Sequence, residues 1–264
     1  MGILEAVKNG FAKAGKLMNV IMVFFVFNAV VGLISLPLAN PARAGKPGIV
    51  TVSIISSVLF FLIFIFLQGG ALGLVKDLLK TGSASLAQFN GYGKKFYLRI
   101  LGLLLLYVVI AVGIVLILSL VSAGLLLLGD NVVTRTIVAL IVTVVAVAVI
   151  TLLVYPIYAL VADDIGSIES LKKGMLIAKQ NFGRTLALFI VLLLVSLVIS
   201  LIVGFLMGLA TVPLAVAVSQ IVITVINAAV QSYIPVVMMV AFMSFYMSLA
   251  GGAQQAPAQP EGIE

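Results

Sequence analysis

The carboxylates of this chain are few enough to weigh one by one. Asp77, Asp163, Asp164 and Glu169 stand at or just beyond the ends of apolar runs, where oxygen ligands could hold Mg2+ against a lipid phosphate. Two adjacent aspartates between helices equally make a cap and a turn, and this is the preferred reading. Asp130 sits between apolar runs with no second aspartate inside one, so the aspartate pair of an intramembrane protease is missing. The chain has no His, no Cys and no Trp. That removes imidazole acid and base chemistry, thiolate nucleophiles, disulfides and the usual transition-metal ligands. No catalytic residue, metal site or cofactor is expected, and the chain reads as non-enzymatic.

Neutral polar residues remain. Gln220, Thr224, Asn227 and Gln231 recur at i, i+4, i+7 and i+11, a single stripe on one helix. An unpaired amide is costly in hydrocarbon, so the stripe is expected to face other helices, as interhelical hydrogen bonds, or a hydrated path for a substrate. Ser196, Ser200, Gly204 and Gly208 form a small-residue stripe, and Gly69 and Gly73 a shorter one; both are expected to pack helices closely. No ionisable residue lies in an apolar run away from its ends, which argues against a proton relay.

The elements that must position these residues are membrane spans. Of 264 residues, 64% are hydrophobic and only 9% charged, against about 25% charged in ordinary globular chains, so a water-soluble fold is excluded. Apolar runs of at least about 20 residues, enough to cross the hydrocarbon core, predict an all-α integral membrane protein with spans at 17–38, 49–73, 98–128, 132–162, 186–209 and 216–249. Residues 1–250 would form one membrane domain and 251–264 a disordered tail. Pro156 and Pro235 are expected kink sites. The first run could instead be a signal peptide, with Ala42, Arg43 and Ala44 imitating a cleavage site, but it is longer than a signal core and would leave an odd number of spans. With the N-terminus inside, twelve Lys and Arg fall in cytosolic segments and three outside. The positive-inside rule therefore predicts both termini in the cytosol, and the expected location is the plasma (inner) membrane.

The basic cytosolic segments themselves read as helices. Ile3, Leu4, Val7, Phe11 and Ala14 recur at helical spacing opposite Glu5, Lys8, Asn9, Lys13 and Lys16. After Ser167, a candidate N-cap, Ile168, Leu171, Met175 and Ala178 oppose Glu169, Lys172, Lys173 and Lys179, with Glu169 and Lys173 spaced as an i,i+4 pair. Glu5, Lys8 and Gly10 overlie Glu169, Lys172 and Gly174; Leu74, Val75 and Asp77 are echoed by Leu160, Val161 and Asp163. A more divergent copy lies at 85–96. These matches predict three units, each an amphipathic helix followed by a hairpin of two spans, although basic loops between six spans can look repetitive without any repeat. Lys172, Lys173 and Lys179 are candidate contacts for anionic inner-leaflet headgroups.

From Tyr158 through Asp163, Asp164, Gly166, Glu169, Leu171, Lys172 and Gly174 to Lys179, Asn181 and Phe182, the sequence resembles the membrane domain found in glycerophosphodiester phosphodiesterases and its stand-alone relatives of unknown function. The resemblance is specific over about 25 residues and implies a six-helix membrane fold near lipid chemistry. It implies no catalysis, because the phosphodiesterase activity belongs to a separate soluble barrel; Tyr246 also lacks the charged residues that often follow it in that family. The expected function is a membrane scaffold or lipid-interacting protein with membrane lipids as partners, no nucleic acid and room for a cytosolic partner. The alternative is a transporter component or the permease of an ATP-driven pump.

Overall fold

The computed structural model describes residues 1–38, 46–127, 129 and 131–254, and among these every regular element is helical. The helices are α1 (Ile3–Ala14), α2 (Met18–Leu38), α3 (Pro47–Thr81), α4 (Phe89–Leu127), α5 (Val132–Leu153), α6 (Pro156–Ala162), α7 (Ser167–Gln180), α8 (Phe182–Thr211) and α9 (Val216–Gln254). Six helical stretches among the described residues are long and apolar enough to cross a membrane: Ile3–Leu38, Pro47–Thr81, Leu86–Leu127, Val132–Ala162, Phe182–Thr211 and Val218–Gly251. The chain is an all-α, multi-pass membrane protein. Ala42, Arg43, Ala44, Asp130 and the tail from 255 onward lie outside the described residues.

Several helices outrun the expected limits for identifiable reasons. α1 continues into α2 through one tight turn, Gly15–Leu17, and Ala14, Gly15 and Met18 all keep right-handed helical dihedrals, so Gly15 is no stop signal. The middle basic segment and the third span are likewise one helix, α4. α3 continues past Gly73 because Leu74, Val75 and Leu78 are buried, and it ends where Gly82, at φ 79°, donates its N–H to the Leu78 carbonyl at 3.1 Å. Pro156 interrupts the fourth span between α5 and α6, having no N–H to continue the ladder. Pro235 stays inside a continuous α9, which also takes in residues 251–254, expected to belong to the tail.

Contacts divide the chain into two units, Met1–Tyr97 with the chain from Ala187, and Leu98–Leu186. In the first, α9 packs against α1, α2 and α3. Its core combines Ala6, Ala14, Val20 and Phe24 with Val236, Val240, Ala241 and Tyr246. Phe24 and Phe27 join α2 to α3 through Phe64 and Phe60, with ring centroids 6.3 Å apart. In the second, α7 packs against α5 and α6, and Tyr155, Leu160, Val161, Ile177 and Ala178 are buried. Elsewhere the spans expose large apolar side chains, Leu120 and Leu127 among them, as lipid-facing helices must.

Candidate functional site

The turn that launches α7 is built from the adjacent aspartates. Asp164 holds φ 59°, a left-handed conformation that Asp tolerates better than most residues. Its carboxylate pairs with Arg99 at 2.8 Å, and Arg99 also donates to the Asp164 carbonyl at 3.2 Å. The N-cap of α7 is Gly166, not Ser167. Ser167 is committed elsewhere, donating its hydroxyl to the Arg99 carbonyl at 2.7 Å across a gap that Gly102 leaves open, since a Cβ there would stand 2.9 Å from Ser167 Oγ. Lys173 pairs with Asp163 at 3.0 Å, in place of the expected pairing with Glu169. Among the described residues no group of three or more acidic side chains able to hold a metal ion is assembled.

α7 is seated on the interrupted span. A Cβ on Gly174 would stand 2.5 Å from Pro156 Cα and 2.7 Å from Pro156 Cδ, so only a glycine permits this approach. The gap left by Pro156 is covered from α4: Tyr107 donates its hydroxyl to the Leu153 carbonyl at 2.9 Å, with the Ile157 backbone close by. The phenol thus satisfies the Leu153 carbonyl that the break leaves open, as broken membrane helices require. Tyr155 is fully buried beside it, with Thr185 as a polar neighbour. Nothing in the composition singled out Tyr107; the only clue was Pro156 itself.

The same seating recurs in the first unit. Gly10 of α1 lies on α9, where a Cβ would stand 2.8 Å from the Val237 carbonyl oxygen and 3.2 Å from Ala241 Cβ. Gly10 and Gly174 are the glycines that the sequence echo overlays, and the matching Ala6 and Ser170, like Ala14 and Ala178, are all fully buried. At the start of α4, Gly93 lies 2.7 Å, measured to a Cβ, from the Phe66 ring, while Gly70 and Gly73 admit Phe89 and Tyr92. The second echo also has a physical role. Asp77 accepts a hydrogen bond from the Tyr92 hydroxyl at 2.7 Å, just as Asp163 holds Lys173. In each case an aspartate grips the residue that precedes a seated glycine.

These seats turn α1 and α7 differently from the expected faces. Ser170, Gly174, Ile177 and Ala178 face protein, while Ile168, Lys172, Leu176 and Lys179 are exposed in one line, with Ile168 at 62% and Leu176 at 54%. On α1, Ala6, Gly10 and Ala14 are buried and Leu4, Lys8, Ala12 and Lys16 are exposed. Of the candidate headgroup contacts, Lys172 and Lys179 are exposed, and Lys173 is half-buried in its ion pair.

The intramembrane stripes also depart from expectation. Thr224 donates to the Gln220 carbonyl at 2.7 Å and lies against Gly32, yet Gln220, Asn227 and Gln231 are exposed. The amide that does bond between helices is Asn28, donating to Ser232 at 3.0 Å, a pair the stripe pattern did not indicate. Ser200, Gly204 and Gly208 are exposed, and nothing lies within 4 Å of a Cβ placed on Gly204 or Gly208, so the small stripe of α8 does not meet α9 as expected. Ser35, Ser53, Ser56 and Ser57 line a groove with Leu38 and Phe60; it contains no ionisable group.

No curated protein and no solved structure matches the chain. A family model matches it over residues 1–249, a stretch that contains every seat, latch and stripe described above. The chain belongs to the family described as a domain of unknown function, DUF7847.

Proposed function

We propose that the chain is a non-enzymatic scaffold of the plasma (inner) membrane that gathers anionic phospholipid headgroups at its cytosolic face. Three units build it, each an amphipathic helix and a hairpin of spans, with both termini cytosolic and basic segments inside. The observation that carries the reading is the outward line Ile168, Lys172, Leu176 and Lys179, in which large apolar and basic side chains alternate on one exposed strip of α7. Such a strip inserts its apolar members among acyl chains while its ammonium groups reach phosphates. Leu4, Lys8, Ala12 and Lys16 support it from α1.

Basic residues near an anionic surface contribute about 1 kcal/mol each before screening. Lys172→Gln with Lys179→Gln should therefore weaken anionic-lipid retention by up to about thirtyfold. Lys173→Gln should change retention little, because Asp163 already occupies that ammonium. Native mass spectrometry of the three proteins reads this directly. Equal retention in wild type and double variant would reject the lipid reading and assign the strip to a cytosolic protein partner. The topology has its own check: a membrane-impermeant thiol reagent applied outside whole cells should label Gly48→Cys and miss Ala12→Cys, both exposed positions in a chain without native cysteine.

A transporter component, alone or as the permease of an ATP-driven pump, is the second reading. The interrupted fourth span favours it, since broken helices are where transporters build sites. Co-purification of an ATPase would select it over the scaffold.

A further inference from the structure

A Ser or Thr hydroxyl within a span has a ready partner in its own helix, because it can donate back to a carbonyl one turn earlier. Ser35 does so to Val31 at 2.7 Å, Thr143 to Ala139 at 2.8 Å and Ser232 to Ala228 at 2.5 Å. A primary amide has two donors and two acceptor lone pairs, which such a bond cannot satisfy. Asn28 solves the problem with Ser232. Gln220, Asn227 and Gln231 have no such solution: they are exposed, and among the described residues their side chains make no hydrogen bond. Asn227 and Gln231 are not at a wet margin either. Within the span Val218–Gly251, Asn227 and Gln231 lie roughly 14 and 20 Å of helix from Val218, inside a hydrocarbon layer about 30 Å thick.

We propose that this face of α9 is where two copies of the chain meet, joined by hydrogen bonds between amides. Two copies inserted the same way are related by a two-fold axis along the membrane normal, which sets their α9 helices side by side and parallel. Residues near that axis then meet their own counterparts. Self-pairing suits an amide, which is donor and acceptor at once, and would not suit a carboxylate or an ammonium. The face carries no charge to repel its copy, as α9 has no acidic residue in its first turn, no basic residue in its last, and none between. Spacings of seven and four residues keep the three amides on one side through the contact. The pairing does not depend on what the lipid-facing strips bind.

The test uses the full chain in native membranes and in nanodiscs. Gln231→Cys, oxidised with copper phenanthroline, should form a disulfide-linked dimer, while Leu116→Cys, on the exposed surface of α4, should not. Mass photometry in nanodiscs should show a wild-type dimer. In the Gln220→Leu, Asn227→Leu, Gln231→Leu variant the dimer fraction should fall at least tenfold at equal protein density, without loss of folded protein, since Leu is at home in lipid. A monomeric wild type, or a dimer that survives the triple substitution, overturns the proposal. A monomer whose Gln231→Cys reacts with a membrane-impermeant maleimide also overturns it, and assigns the stripe to a hydrated passage.

Discussion

Gly174→Ala should lower the thermal stability of the purified protein and release α7 from the fourth span. The added methyl would collide with the Pro156 backbone, which is fixed by its ring and cannot swing aside like the end of a flexible side chain. Overpacking of this kind costs about 1–3 kcal/mol, occasionally more. Gly204→Ala is the matched comparison, because nothing lies within 4 Å of its Cβ. There the gain in helix propensity, roughly 0.5–1 kcal/mol, should leave stability unchanged or slightly raised. With no Trp for intrinsic fluorescence and no Cys for thiol dyes, the measurement is the folded fraction recovered by size-exclusion chromatography after heating. Indistinguishable curves for the two variants would refute the seat.

The second large effect should come from a single oxygen. Tyr107→Phe keeps the ring and its packing but strands the Leu153 carbonyl, which the hydroxyl satisfies beside the Ile157 backbone. Each unsatisfied buried backbone group costs about 1–3 kcal/mol, and the apolar surroundings offer no ready substitute. Beyond a lower melting temperature, hydrogen exchange should report faster opening at the Ile157 amide, whereas the amides of α7 beyond Gly174 should be little affected. An Ile157 amide equally protected in both proteins would show that the phenol does not secure the break.

The number and order of spans were legible in composition alone, because hydrocarbon thickness leaves so few solutions for long apolar runs. The echo of Gly10 in Gly174 was legible too, and both glycines turn out to bear on a neighbouring helix. Which way the helices face was not. Periodicity placed Ile168, Leu171, Met175 and Ala178 on the apolar face of α7; Ala178 is buried as that requires, but its buried companions are Ser170 and Gly174, and Ile168 and Leu176 point out. In water the large apolar face is the buried one. Within or beside a membrane both faces are apolar, and close approach is decided by small residues. Small residues are still only a permission: Gly204 and Gly208 have the spacing and no neighbour. The hydrogen bond from Tyr107 lay beyond sequence reading because it joins residues far apart in the chain at a vacancy that exists only once Pro156 has broken the helix.

The contact between α1 and α9 also has a consequence for how the protein is made. The seat for Gly10 is Val237, so α1 leaves the ribosome long before the helix it packs against. At about 5–20 residues per second, roughly ten to fifty seconds separate the synthesis of the two. Throughout that interval Ala6, Gly10 and Ala14 offer the nascent membrane a face shaped for a helix that does not yet exist. Closure of the first unit therefore waits until α9 has been made, and a chain truncated before Val237 should expose this face and become a substrate for membrane quality control.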